Sequence, residues 1–222
     1  MGKREELEKI KQKILSDMQC PLKDAATNLV FGKGNPDAPI LFIGEAPGEK
    51  EDLQGIPFVG RAGKELDELL QLIGLTLEKV YIANILKYRP PNNRDPAVDE
   101  IRRHTPYLID QIKVIQPAII ATLGNFSTKF VLSGFDVEGM KKVGGISFLH
   151  GKIIEKEVDG VKYVVVPLYH PAAMLYNPVL RDDLKKDFLA MGRYLEEKFP
   201  GQYKIPDVKE TKESQKTLFY RP

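Results

Sequence analysis

Apolar positions follow two rhythms along this chain. Leu7, Ile10, Ile14 and Met18 return at spacings of three and four in a charged background, which predicts an amphipathic helix ending near Cys20-Pro21. Short unbroken apolar runs at 40–44 (ILFIG), 80–84 (VYIAN) and 118–124 (AIIATLG) predict buried strands. Between them Leu66, Leu69, Leu70 and Ile73 predict a helix stopped by Gly74, DEIRRHTPYLIDQIKVI has helical periodicity interrupted by Pro106, and NFSTKFVLSG predicts a short helix closed by Gly134. KIIEKEV and VKYVVVPLY flank Asp159-Gly160, a two-residue hairpin signal. A loop, HPAAMLYNP, then leads into a helix from about Arg181 to Glu197. Strands alternating with helices predict an α/β protein with a mainly parallel sheet and its site at the strands' carboxyl ends.

Composition narrows the class. With 222 residues, 33 Lys+Arg against 31 Asp+Glu and a net charge of +2, the chain suits one substantial core, and its charge neither supports nor excludes DNA. One domain is expected over 1–199, followed by a polar, lysine-rich flexible tail over 200–222. A single cysteine, Cys20, rules out an internal disulfide framework and an all-cysteine metal site. No apolar run is long enough to span a membrane and the first residues lack a secretory apolar core, so a cytoplasmic protein with no membrane partner is expected.

Four strand-end loops concentrate the chemistry: Gly44 to Asp52, Pro57 to Gly60, Asn84, and His170 to Ala172. A carboxylate on a rigid turn, an aromatic, an amide and a histidine lining one pocket would suit a flat, uncharged heterocycle. Phe58 would stack on it, Asn84 would bond its amide-like edge, Glu45 would hold a water and His170 would meet developing negative charge.

The string GEAPGEKEDLQGIPFVGRAGKEL, with NILKYRPPNNRDP and YHPAAMLYNP at the expected intervals, closely resembles the family 4 uracil-DNA glycosylases, the thermostable bacterial and archaeal type, over about Ser16 to Glu197. The resemblance implies a three-layer α/β/α fold with a four-stranded, mainly parallel central sheet. It also implies a monomeric, monofunctional enzyme that flips uracil, the product of cytosine deamination, out of DNA and hydrolyses its glycosidic bond, starting base excision repair. In that mapping Glu45 and His170 are catalytic, and Gly44, Ala46, Phe58 and Asn84 bind the base. The plainer alternatives are a helix cap for Glu45, a satisfied strand-end group for His170 or Asn84, and a core aromatic for Phe58. Met174 and Leu175 would wedge into the duplex, or else pack in the core. Arg61, Lys64, Lys87, Arg89 and Arg94 would hold phosphates, or else be solvated charges.

Two positions depart from the better-known family 1 enzymes. Ala46 replaces an aspartate there, which moves water activation to Glu45 or elsewhere. Gly48 replaces the tyrosine that blocks the thymine methyl, which leaves that exclusion to another group, with the Glu49–Asp52 segment as the candidate.

Family 4 also implies an iron–sulfur (4Fe–4S) cluster on four cysteines, whose positions here hold Asp17, Cys20, Tyr88 and His104. One thiol does not suit a cluster, and no cofactor is needed for the chemistry. Zinc on Asp17, Cys20 and His104 is the alternative.

In the tail, Gln215, Leu218, Phe219 and Tyr220 resemble a sliding-clamp-binding box, or form a plain solvated end. Two further readings compete: a damaged-base-binding paralogue with weak or no turnover, and a glycosylase for another deaminated base such as hypoxanthine. A nucleotide enzyme using Gly60 to Lys64 as a phosphate cradle fails on spacing. The charge-rich, cysteine-poor composition points to a thermophilic, archaeal origin, and the activity implied would be nucleoid-associated.

Overall fold

The structure is a computed structural model that describes residues 2–206. Strands β1 (Lys33–Gly34), β2 (Ile40–Gly44), β3 (Val80–Asn84), β4 (Ile119–Leu123), β5 (Ile154–Val158) and β6 (Val161–Leu168) form one sheet in the order β1-β3-β2-β4-β6-β5. The inner four are mutually parallel, while β1 and β5 join antiparallel at the two edges. The expected four-stranded parallel sheet is the centre of a six-stranded one. β5 and β6 are the arms of the Asp159-Gly160 hairpin, whose two turn residues both take positive φ.

Alternation along the parallel strands sends side chains to two separate cores, because successive residues of a strand face opposite sides. Leu41, Ile43, Tyr81, Ala83, Ile120 and Val165 meet helices α1 (Lys3–Asp17), α2 (Pro21–Ala25), α5 (Val98–Ile115) and α6 (Asn125–Leu132) on one face. Ile40, Phe42, Val80, Ile82, Ala121 and Val166 meet α4 (Arg61–Leu72) and α9 (Pro178–Lys198) on the other. A three-layer α/β/α arrangement results. The short helices α3 (Glu49–Gln54), α7 (Ile146–Leu149) and α8 (Ala173–Tyr176) complete the described α-helices, with 3-10 turns at Leu77–Lys79, Pro91–Asn93 and Gly139–Lys142.

Three details differ from the sequence expectation. α5 runs unbroken through Pro106, so the missing N–H is absorbed within a helix whose apolar face is buried from Ile101 to Ile115. α9 begins at Pro178, three residues early, because the Asn177 side chain accepts from the Val179 N–H and proline suits the first turn. Residues 200–206, assigned above to the tail, pack against the body: Tyr203 is buried and the Ile205 N–H donates to Glu196. The remaining tail, with Gln215, Leu218, Phe219 and Tyr220, lies outside the described residues. Among the described residues no helix is long and apolar enough to cross a membrane.

β2 lies between β3 and β4, and the chain reaches these neighbours by crossovers on opposite faces, through α4 and then α5. A crevice at the carboxyl end of β2 follows from that reversal.

Candidate active site

Glu45 leaves the end of β2 directly into this crevice. Its neighbour on the sheet is Asn84, the last residue of β3, paired with Gly44. Ladder bonding continues beyond the strands, with Ile85 N–H donating to the Gly44 carbonyl (3.0 Å) and Leu86 N–H to the Glu45 carbonyl (2.9 Å). The turn carrying the carboxylate and the turn carrying the amide are therefore one hydrogen-bonded unit. A pocket of about 320 Å³ opens above it, lined among others by Glu45, Ala46, Glu51, Phe58, Asn84 and His170. The sequence-selected groups that should contact the base thus meet in one place, with Gly44 beneath them. A β-carbon on Gly44 would collide with Asn84 Oδ1 and lie 2.9 Å from the Phe58 ring, so only glycine lets both side chains close over the strand end.

Phe58 sits on a turn in the left-handed region (φ 53), a strained conformation for an aromatic residue. Two charged groups hold it there. Glu51 Oε1 accepts from Val59 N–H (2.9 Å) and Gly60 N–H (2.7 Å), and Lys33 Nζ donates to the Phe58 carbonyl (3.0 Å). The ring stacks on His170, with centroids 5.7 Å apart and planes at 27°.

Electrostatics sort the titratable groups. Burial, with a smaller push from Asp95, raises the Glu45 carboxyl to about 7. Burial lowers His170 to about 4, against the opposing pull of Glu51, so its imidazole is neutral at pH 7. His170 Nδ1 accepts from Ala172 N–H (3.2 Å), which leaves the ring proton on Nε2. Asn84 is 2% exposed, and its Oδ1 is, among the described residues, the one buried side-chain oxygen or nitrogen lacking a hydrogen-bond partner. A buried carbonyl oxygen left unpaired is costly unless a ligand supplies the donor.

Met174 and Lys87 lie deeper than a DNA-contacting role expects. Met174 is 5% exposed and packs in the core beside α9, which favours the core-packing alternative given for it over the wedge; Leu175 remains half-buried beside it. Lys87 is not a surface cation: it is fully buried, with Nζ bonded to the Asn84 carbonyl and to Gln111. Arg61 and Lys64 are exposed on the first turn of α4, outside the pocket. Arg89 is half-buried and donates to Asn93. Arg94 lines the pocket while paired with Glu100. Glu51 and Lys33 carry no sequence signal for their role, because nothing local marks them as supports of a turn distant in the chain.

The four degenerate cluster positions do not fit an iron–sulfur cluster. His104 Nδ1 accepts from Lys87 N–H (2.8 Å), so Nε2 carries the proton and donates to Cys20 Sγ (3.4 Å). Burial holds this imidazole neutral, down to about 3. Tyr88 packs edge-on against the same ring, and Asp17 is exposed with its carboxylate bonded to Ser16. One thiol and an imidazole with both nitrogens engaged cannot replace four thiolates. Among the described residues no three His, Cys, Asp or Glu side chains are grouped to hold a metal ion.

Residues 31–192 match the Uracil DNA glycosylase superfamily. A type-4 uracil-DNA glycosylase of Archaeoglobus fulgidus is 46% identical over 196 residues, covering 88% of this chain and 96% of that protein. One from Sulfurisphaera tokodaii is 50% identical over 185 residues (82% and 81% of the two chains). A third, from Thermotoga maritima, is 42% identical over 179 residues (80% and 88%).

Proposed function

This chain belongs to the uracil DNA glycosylase superfamily, and from that membership and the pocket we propose that it excises uracil from DNA by hydrolysing the N-glycosidic bond. The unpaired Oδ1 of Asn84 carries the reading. Uracil N3–H supplies the missing donor, and the amide NH2 donates to O4. Cytosine offers an acceptor at N3 and a donor at N4, so each contact is reversed, at a cost of about 1–3 kcal/mol for each group left unpaired. Phe58 stacks on the flipped ring.

Glu45, in its ionised form, orients and deprotonates a water that adds to the sugar C1′ as the glycosidic bond breaks. The bonding electrons leave with uracil, and the Nε2–H of neutral His170 donates to O2 where that charge gathers. The proton that Glu45 takes from the water is passed on to the departing uracil anion, directly or through solvent, so the products are free uracil and an abasic site. No lysine Schiff base is involved, since the Lys87 amine is engaged with Asn84 and Gln111 outside the pocket lining. Glu51 fills the space beyond Gly48 and excludes the thymine methyl. Leu175 supports the gap left by the flipped base, and Arg61, Lys64 and Arg89 face phosphates. The chemistry proceeds without a cofactor, and the box at 215–220 tethers the enzyme to a sliding clamp.

A binding paralogue without turnover has no observation in its favour, because carboxylate and imidazole both line the pocket. Excision from a labelled oligonucleotide bearing one uracil, revealed by alkali, tests the proposal. Cleaved product from the wild type that disappears in Glu45→Ala and falls steeply in His170→Ala is expected; a folded wild type giving no product overturns it.

A further inference from the structure

Behind the pocket lies a lysine with no role in the chemistry above. Lys87 is 0% exposed, yet both partners of its amine are neutral: the Asn84 carbonyl at 2.8 Å and Gln111 Oε1 at 2.5 Å. Full burial of an amine without a carboxylate beside it is costly, and apolar residues serve a core better.

The connections of Lys87 run in one direction. Gln111 is itself fixed, since its Nε2 donates to the Phe31 carbonyl (3.1 Å). The Lys87 backbone N–H is held by His104 Nδ1 (2.8 Å). His104 and Gln111 both belong to α5. Lys87 is therefore anchored to that helix at its backbone and its side chain, and its amine turns back to grip the peptide that follows Asn84. The Asn84 side chain, in contrast, has no such anchor, because its Oδ1 is bonded to nothing in the protein. Its aim into the pocket depends on the backbone that bears it and on the packing of Phe58 over Gly44.

We propose that Lys87, locked by Gln111, is the positioning residue for the Asn84 amide, and thereby sets how fast this enzyme excises uracil. The proposal rests on Asn84 being the base reader. A misplacement of about 1 Å at a reacting contact can cost on the order of 100-fold in rate, which is the scale on which a lost anchor should register.

A double-mutant cycle on the full chain separates positioning from mere structural support, read as single-turnover excision from a uracil oligonucleotide alongside the melting temperature. Lys87→Met should lower the rate about 10- to 100-fold in the wild-type background. In the Asn84→Ala background, where there is no amide to aim, the same change should cost less than about twofold. An equal loss in both backgrounds, or no loss in the wild type, overturns the proposal. Full activity in Asn84→Ala alone overturns the base-reader assignment instead. If Lys87→Met does not fold, Gln111→Leu removes the lock while keeping the lysine, and its cycle with Asn84→Ala supports or overturns the proposal by the same pattern of losses.

Discussion

The Glu51 carboxylate occupies the space that a side chain on Gly48 would enter: its Oε2 lies 2.8 Å from where a β-carbon on that glycine would stand. The same carboxylate accepts the Val59 and Gly60 N–H groups, so one side chain both fills the pocket wall and holds the Phe58 turn.

The two roles have separate readouts on substitution. Glu51→Gln keeps an acceptor oxygen and the volume, and should retain uracil excision within about threefold. Glu51→Ala removes the acceptor for two backbone donors, each worth about 1.5–3 kcal/mol when bonded to a charge, and opens the wall. Uracil excision should drop by about tenfold or more, while the ratio of thymine to uracil excision rises. Competition between thymine- and uracil-containing oligonucleotides measures this; an unchanged ratio in Glu51→Ala removes Glu51 from thymine exclusion.

The pH profile carries the signature of Glu45. Because its carboxyl is raised to about 7 and acts ionised, the single-turnover rate should climb about tenfold per pH unit below that value and level off above it. Asp95 adds to the upward shift, so Asp95→Asn should move the limb to lower pH. His170, lowered to about 4, should add no limb between about pH 5 and 8. A flat profile across about pH 5.5–8 counts against Glu45 as the base.

Cys20 and His104 bond each other, and the second imidazole nitrogen is engaged by the Lys87 N–H, so neither group is free to hold a cluster. The purified protein should contain no stoichiometric iron or zinc by elemental analysis. Cys20→Ser should keep full activity with a loss of about 1 kcal/mol in stability. Stoichiometric metal whose removal abolishes activity would contradict this.

Met174 and Leu175 should behave oppositely. Met174→Ala opens a cavity in the core and should cost about 2–5 kcal/mol of stability. Leu175→Ala should leave the melting temperature nearly unchanged and lower excision from duplex more than from single-stranded DNA. Equal effects on both substrates would remove Leu175 from the duplex contact.

Much of this architecture was legible in the residue pattern, for a physical reason. β2, β3 and β4 are covered on both faces, so they stand out as unbroken apolar runs, and Gly44, Glu45 and Asn84 at their ends could be located from them. β1 left no such trace, since two residues, Lys33 and Gly34, are a strand only because β3 pairs with them. Met174 looked like loop because the single turn of α8 that buries it is too short for periodicity. Lys87 looked like surface because its charge masks the acceptor waiting 24 residues away on α5. Clustering of the site was visible in order and spacing; the supports of the site, Glu51, Lys33 and Gln111, act through contacts between segments and have no local pattern.

The most direct test of base reading by Asn84 is excision of uracil and of cytosine by the wild type and by Asn84→Asp, side by side. A protonated aspartic acid donates to N3 and accepts from N4, the complement of cytosine. The expected result is uracil-only cleavage by the wild type, and in Asn84→Asp a loss of uracil excision by about 100-fold with cytosine excision appearing. Unimpaired uracil excision by folded Asn84→Asp, or equal cleavage of both bases by the wild type, would contradict the account.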